Sequence, residues 1–182
     1  MMAEVLASRL DPEEELLGAF REGMGLMTST VAIIAARNDA GFRFGMTATA
    51  VCSLSLSPPS VVVCVNKTAK TFEALRETNL LSVNLLAEGQ ELIANAFARH
   101  ANTQGEADAK FSTGNWTIRD SVPVLDGALS SMTCELSNCF DGGTHWIVVG
   151  AVLTVLNQDT NPLLYGRKNY RRIRNDTVCP TY

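Results

Sequence analysis

Along Gly45–Ser57 apolar and polar positions alternate almost strictly. Met46, Ala48, Ala50, Cys52, Leu54 and Leu56 fall on one side; Thr47, Thr49, Ser53, Ser55 and Ser57 fall on the other, broken by Val51. A period of two predicts a strand with one face buried, and Pro58-Pro59, which cannot continue a hydrogen-bonded ladder, ends it. The polar side is made of small neutral hydroxyls where a solvated strand normally mixes in Lys and Glu. Such a face suits a flat, partly apolar ligand lying against the strand, although a strand selected for β-propensity alone carries the same residues.

The same pattern analysis orders the rest of the chain. Asp11-Pro12-Glu13-Glu14-Glu15 has the chemistry of a helix start, with Asp11 as N-cap and acids in the first turn. Leu16, Leu17, Phe20 and Met24 then recur at helical spacing, and Gly23 and Gly25 end the helix. Thr30–Ala36 reads as a buried strand, joined to the alternating one in a hairpin by the turn residues Asn38-Asp39-Ala40-Gly41. Val61–Val65 is apolar on both faces and therefore interior. Thr71–Thr78 is a short helix and Leu80–Leu86 a strand, followed by a helix over Gly89–Arg99 with Leu92, Ile93, Ala96 and Phe97 on one face. The polar stretch His100–Pro123 reads as a long, lid-like excursion. Val124–Phe140, Ile147–Leu156 and Pro162–Tyr165 supply the remaining strands, with Asp141-Gly142-Gly143 turning one back on its neighbour. Many short strands and few helices predict a mainly β Greek-key barrel with flanking helices.

At 182 residues the chain is most simply one domain, 1–182, with residues 1–10 a loosely ordered tail. A net charge of -4 argues against a nucleic-acid partner, which calls for a concentrated basic face. The basic cluster Arg167, Lys168, Arg171, Arg172 and Arg174 reads as solvated surface or as a receiver of an anionic cofactor. The five cysteines form no C-x-x-C pair and there are two His, so no zinc constellation and no metal site is expected. Cys52 and Cys64, with apolar neighbours, read as buried small hydrophobes, and the set suits a reducing cytoplasm. No export signal stands at the N-terminus, and no apolar run reaches the roughly 18 residues of a membrane span, so no membrane partner is expected.

Nucleotide-binding signatures of the common kinds are absent: there is no G-x-x-x-x-G-K-[ST] and no strand-linked G-x-G-x-x-G. The loop Asn66-Lys67-Thr68-Ala69-Lys70-Thr71 leaves a strand and enters a helix. Free N–H groups, the helix dipole and two lysines there make an anion site; a capped helix start with exposed lysines fits the same pattern. His145 follows the Gly142-Gly143 turn, while His100 sits in the polar excursion and carries no assigned role. No G-x-S-x-G elbow accompanies either.

The segments GMTATAVCSLSLSPPSVVVCVN, NLLSVNLL, QELIANAFA, GTHWIVVGAV and PLLYGRKNY occur in this order between Leu16 and Arg172. Together they resemble the flavin reductase family of NAD(P)H:flavin oxidoreductases with the flavin-binding split-barrel fold, and in particular the small reductase components of two-component aromatic monooxygenases of the 4-hydroxyphenylacetate and chlorophenol type. The resemblance implies a homodimer whose subunits both border each flavin. It also implies hydride transfer from NADH, with NADPH the alternative, to FAD or FMN, and delivery of the reduced flavin to a separate oxygenase acting on a phenol. It places the flavin ring against Thr47, Ala48, Thr49, Ala50, Cys52, Ser53, Leu54 and Ser55. The ribityl and phosphate portion falls to Asn66, Lys67, Thr68, Ala69 and Thr71; family members often carry Ser where this chain has Ala69. His145 matches the His of the family's G-[DT]-H motif and would position the nicotinamide or flavin. Phe97 would cover part of a nucleotide or pack in the core, and Tyr170 would lie near the nicotinamide. A flavin- or haem-binding protein without turnover, and an oxidase of the pyridoxamine-phosphate type, share the architecture and stand as alternatives.

Overall fold

The computed structural model describes residues 11–173; the expected tail at 1–10, together with Arg174 and Cys179, lies outside them. Asp11 caps α1 (Pro12–Leu26), its carboxylate accepting from the Glu13 N–H at 3.1 Å. The helix includes Gly23 and Gly25 and ends one residue beyond them, at Leu26, and no residue of it is buried in the single chain.

Next come β1 (Ser29–Thr30), β2 (Ala32–Arg37), β3 (Arg43–Ala48), β4 (Val51–Leu56), β5 (Pro59–Asn66), α2 (Lys70–Thr78), β6 (Leu80–Leu85) and α3 (Glu91–Ala98). Then follow α4 (Gln104–Ala109), β7 (Trp116–Arg119), β8 (Val122–Leu125), β9 (Ser130–Gly142), β10 (His145–Asn157), β11 (Leu164–Gly166) and β12 (Asn169–Arg171). Seven strands form an antiparallel sheet in the order β3-β2-β6-β9-β10-β5-β4. One core takes Ile34 from β2, Phe44 from β3, Val63 from β5, Val83 from β6, Cys134 from β9 and Val148 from β10, with Val51 of β4 packed on it. The sheet therefore curls around a single interior, as the predicted barrel requires, with its split between β3 and β4. β2 is buried on both faces, because Ile33 and Ala35 enter a second cluster with Val31, Phe97, Phe111, Leu125 and Leu163.

That split corrects the sequence reading. The alternating stretch is two strands, broken at Thr49-Ala50, and they occupy opposite edges of the sheet. The bend reverses the pleat: Val51 turns inward, while Cys52, Leu54 and Leu56 of the expected buried face are exposed, Leu56 at 89%. The strand does end at Pro58-Pro59, as expected: β4 stops at Leu56, Ser57-Pro58 turn the chain, and Pro59 begins β5, which pairs with β4. Cys64 is only half-buried, and the thiol shut into the core is that of Cys134, pushed up to about 12 by burial.

His100–Pro123 is packed and is not a lid. It contains α4, a 3-10 turn and β7, which pairs with β8, and it buries Ala107 and Phe111. The expected strand Val124–Phe140 is divided by a turn, with Gly127 at φ +76°, where a side chain is strained. On α3 the core face is Ile93, Ala94 and Phe97, and Leu92 is 77% exposed.

Candidate functional site

Three adjoining hollows lie along the C-terminal end of β3 and the bend that follows. The first, about 210 Å3, has Thr47 and Phe97 beside it, with Asn66, Thr68, Ala69 and Thr71 of the β5–α2 loop on one side. The second, about 590 Å3, is bordered by Thr47, Ala48 and Thr49, by Asn95 of α3, and by Tyr165 and Tyr170. The third, about 320 Å3, is bordered by Thr49, Ala50, Tyr165 and Lys168. Thr47 and Ala98 belong to the first two, and Thr49, Tyr165 and Lys168 to the last two. One groove thus follows the uncharged wall Thr47–Ala50.

Local chemistry fixes this wall. Thr47 Oγ1 donates to the Ala94 carbonyl at 2.7 Å, tying β3 to α3. Gly45 leaves room for Phe97: a Cβ there would fall 2.6 Å from the ring. Phe97 is 1% exposed and also meets Phe111 edge-on at 4.9 Å, so it packs in the core while its ring closes one side of the first hollow. Across the second hollow, Tyr170 Oη donates to Asn95 Oδ1 at 2.7 Å. Burial, with Tyr165 and Glu91 nearby, pushes the Tyr170 phenol up, so it remains a neutral donor.

At the first hollow, Asn66 Oδ1 accepts from Thr68 N at 2.9 Å and Thr68 Oγ1 at 2.8 Å, shaping the entry to α2. Ala69 is the N-cap and offers no side-chain acceptor, so the first N–H groups of α2 have no side-chain cap. Lys67, expected to join the anion site, is engaged elsewhere: its Nζ lies 2.6 Å from Asp141 and 4.6 Å over the Trp146 ring. The Lys67 ammonium and the Gly143 N–H hold the Asp141 carboxyl below its ordinary range.

Other predicted positions fall outside the groove. Cys52, Ser53, Leu54 and Ser55 are on β4, across the split, and line none of the three hollows. His145 opens β10, register-paired with Asn66, and its Nδ1 lies 2.9 Å from Thr144 Oγ1. It sits beside the end of β5 but does not line the hollows of the single chain.

Sequence reasoning left out Arg99, His100 and Lys110, which also line the first hollow. A tertiary clamp brings the α4 segment to this place. Arg43 binds Asp108 through Nε–Oδ1 at 2.8 Å and Nη2–Oδ2 at 2.9 Å, with the Arg43 N–H on Oδ1 at 3.0 Å. The pair raises the guanidinium pKa and lowers that of the carboxyl. Nothing in the spacing of His100 relative to Asn66 reveals that the two share a cavity.

Known proteins share sequence and fold with this chain. The family model described as flavin reductase like domain matches residues 24–174. The chain is 35% identical over 157 residues to an FMN reductase (NADH) RutF 1 of Methylorubrum extorquens, an alignment covering 85% of this chain and 76% of that one. It superposes on the NADH:FAD oxidoreductase SgcE6 of Streptomyces globisporus C-1027, solved with NAD and FAD fragments, at a TM-score of 0.81 and 28% identity, covering 94% of this chain and all of the other. For the styrene monooxygenase flavin reductase SMOB of Pseudomonas putida S12 the TM-score is 0.75 at 25% identity, over 87% and 99% of the two chains.

Proposed function

Because the chain belongs to the flavin reductase like domain family, we propose that it transfers hydride from NADH to FMN or FAD and delivers the reduced flavin to a separate oxygenase acting on an aromatic compound. The observation that carries this reading is the continuous groove: an uncharged wall at Thr47–Ala50 beside a small hollow that no carboxylate lines among the described residues. The wall fits a neutral tricyclic ring, and the hollow fits a phosphate. When bound, the flavin and the nicotinamide supply the redox chemistry themselves.

What the residues contribute is placement. Thr47, Ala48, Thr49 and Ala50 support the ring, and the loop of Asn66, Thr68, Ala69 and Thr71 receives the phosphate end. Tyr170, held by Asn95, closes the nicotinamide side of the second hollow. His145 positions the nicotinamide from the rim of the phosphate-loop strand. Holding donor and acceptor in contact with water excluded is the main catalytic service such a site provides.

The working unit of this proposal is a homodimer of single-domain subunits. In the single chain, Phe140, Ile147 and Cys64 sit side by side across β9, β10 and β5, and Phe140 is 55% exposed. Leu54 and Leu56 on β4 and Leu16, Leu17 and Phe20 on α1 are exposed as well. These exposed apolar side chains are what the proposed second copy would cover. A second copy on it brings β4, with Cys52, Ser53, Leu54 and Ser55, toward a neighbouring groove. The free thiols of Cys52 and Cys139 support a reducing compartment, the cytoplasm; among the described residues no helix is long and apolar enough to cross a membrane.

The test is a steady-state assay of the whole chain, crossing NADH and NADPH with FMN, FAD and riboflavin. Flavin-dependent NADH oxidation is the expected result. Flavin binding without NADH oxidation identifies a carrier or sensor instead.

A further inference from the structure

Lys67 stands in the β5–α2 loop, yet its side chain serves another part of the molecule. Within Asn66–Thr71 every residue but Lys67 borders the first hollow. Its ammonium lies 2.6 Å from Asp141 Oδ1, which also accepts the Gly143 N–H at 2.9 Å. That carboxylate braces the β9–β10 turn, where Gly143 takes a φ of +78°.

Lys67 also meets both chain neighbours of His145. Its backbone N–H donates to the Thr144 carbonyl at 3.1 Å, and its Nζ lies 4.6 Å over the Trp146 ring. The buried Phe72 of α2 stacks on Trp146 at 5.0 Å, so the indole is a fixed support. An ammonium over an indole face is attracted by the ring quadrupole, and its bond to a carboxylate is about twice as strong as a neutral one. The Lys67 side chain is thereby held between Asp141 and Trp146.

His145 sits between these two anchored neighbours and pairs across the strands with Asn66. Directly opposed residues project from the same face with Cβ atoms about 4.5–5.5 Å apart. The imidazole is therefore beside a residue that borders the first hollow. The turn sets the direction of the ring, and Lys67 with Asp141 sets the turn.

We propose that Lys67 is a positioning residue: paired with Asp141 and lying on Trp146, it fixes the turn that carries His145 and so the placement of the nicotinamide. The flavin phosphate is not its partner. The inference rests on the flavin-reductase reading and deepens it. A part-exposed ion pair adds little stability, so the effect lies in orientation, where a misplacement of about 1 Å can cost about a hundredfold in rate.

The experiment compares the parent chain with Lys67→Met, which keeps an apolar stem beside Trp146, and with Lys67→Arg, which keeps the charge. In Lys67→Met, kcat/KM for NADH should fall about three- to fivefold, while the dissociation constants of FMN and riboflavin stay within about twofold. Lys67→Arg should recover most of the loss. In a His145→Ala background, Lys67→Met should change kcat/KM by less than about 1.5-fold, because a residue acting through His145 has nothing left to position. An equal loss in that background, or no loss in the parent, overturns the proposal. Weaker FMN binding with riboflavin unmoved also overturns it, because Lys67 would then hold the phosphate. Asp141→Asn breaks the pair from its other end and decides the matter should Lys67→Met lower the melting temperature. Nuclear relaxation supplies a readout without turnover: the amide order parameters of Thr144 and His145 should fall in Lys67→Met from about 0.85 toward the flexible range below about 0.6. Unchanged order overturns the proposal. Order lost there supports it even where the parent chain oxidises no NADH, an outcome that sinks the reductase reading alone.

Discussion

Phe97 rests its ring on the bare Cα of Gly45, at a separation that leaves no room for a methyl group: a Cβ on Gly45 would stand 2.6 Å from Phe97 Cε1 and 2.7 Å from Cδ1. This contact seats α3 on β3 and so sets the side of the groove where the two hollows meet. Phe97 is closed in by Phe111 and Trp116 at 4.9 and 5.2 Å and cannot swing away. Gly45→Ala should therefore cost about 1–3 kcal/mol, the range for overpacking a close-packed core. Thermal unfolding measures it, and an unchanged melting temperature would show that α3 yields freely.

Thr49 stands at the bend where the second and third hollows meet, exposed and with its neighbours uncharged. Thr49→Leu places a branched side chain in the path of the ring. Flavin affinity should fall about tenfold or more, a loss of roughly 1.4 kcal/mol or greater, while the melting temperature stays put. Unaltered flavin affinity would mean that the wall does not face the ring.

His145 differs in what it should affect. It touches Thr144 and the strand bearing Asn66 rather than the hollows, so His145→Ala should lower kcat/KM for NADH by about tenfold or more while flavin affinity changes less than about threefold. A parallel loss of flavin binding would assign the residue to the flavin and not to the nicotinamide.

How these positions were or were not legible beforehand follows from where the information lies. The start of α1 is written locally in Asp11-Pro12, and the β2–β3 hairpin in Asn38-Asp39-Ala40-Gly41, so both were readable. Val61–Val65 was equally plain, because a strand covered on both sides shows a continuous apolar run. The break at Thr49-Ala50 has no Gly or Pro to mark it, and the alternation continues across it in the letters while the pleat reverses in space. Leu54 and Leu56 consequently looked buried and are exposed. His100–Pro123 looked like a lid because its anchors, Ala107, Phe111 and Trp116, are widely spaced among polar residues. Lys110 reaches the first hollow on the segment held by the Arg43–Asp108 clamp, which joins positions 65 residues apart, and no local pattern encodes that.

The same clamp gives a pH dependence. The Arg43 hydrogen bonds hold the Asp108 carboxyl below its ordinary 3.8. Above that value the carboxylate is charged in both folded and unfolded chains and the full stabilisation is present. As pH falls below it, the unfolded chain takes up its proton first, and the contribution drains away until the folded carboxyl titrates too. Asp108→Asn should lower the melting temperature at neutral pH, with the difference from the parent protein shrinking below about pH 4. A difference that persists undiminished into acid would remove the ion pair as its cause. Being part-exposed, the pair should also weaken in high salt.

The central claim is that a flavin ring lies along Thr47–Ala50 with its phosphate in the hollow at Asn66–Thr71. A crystal structure of the chain grown with FMN tests this most directly. The expected result is ring density against Thr47–Ala50, with phosphate density between Thr68 and Lys110. Density for the ring elsewhere, or a Thr47–Ala50 wall covered by protein with no space for a ligand, would contradict it.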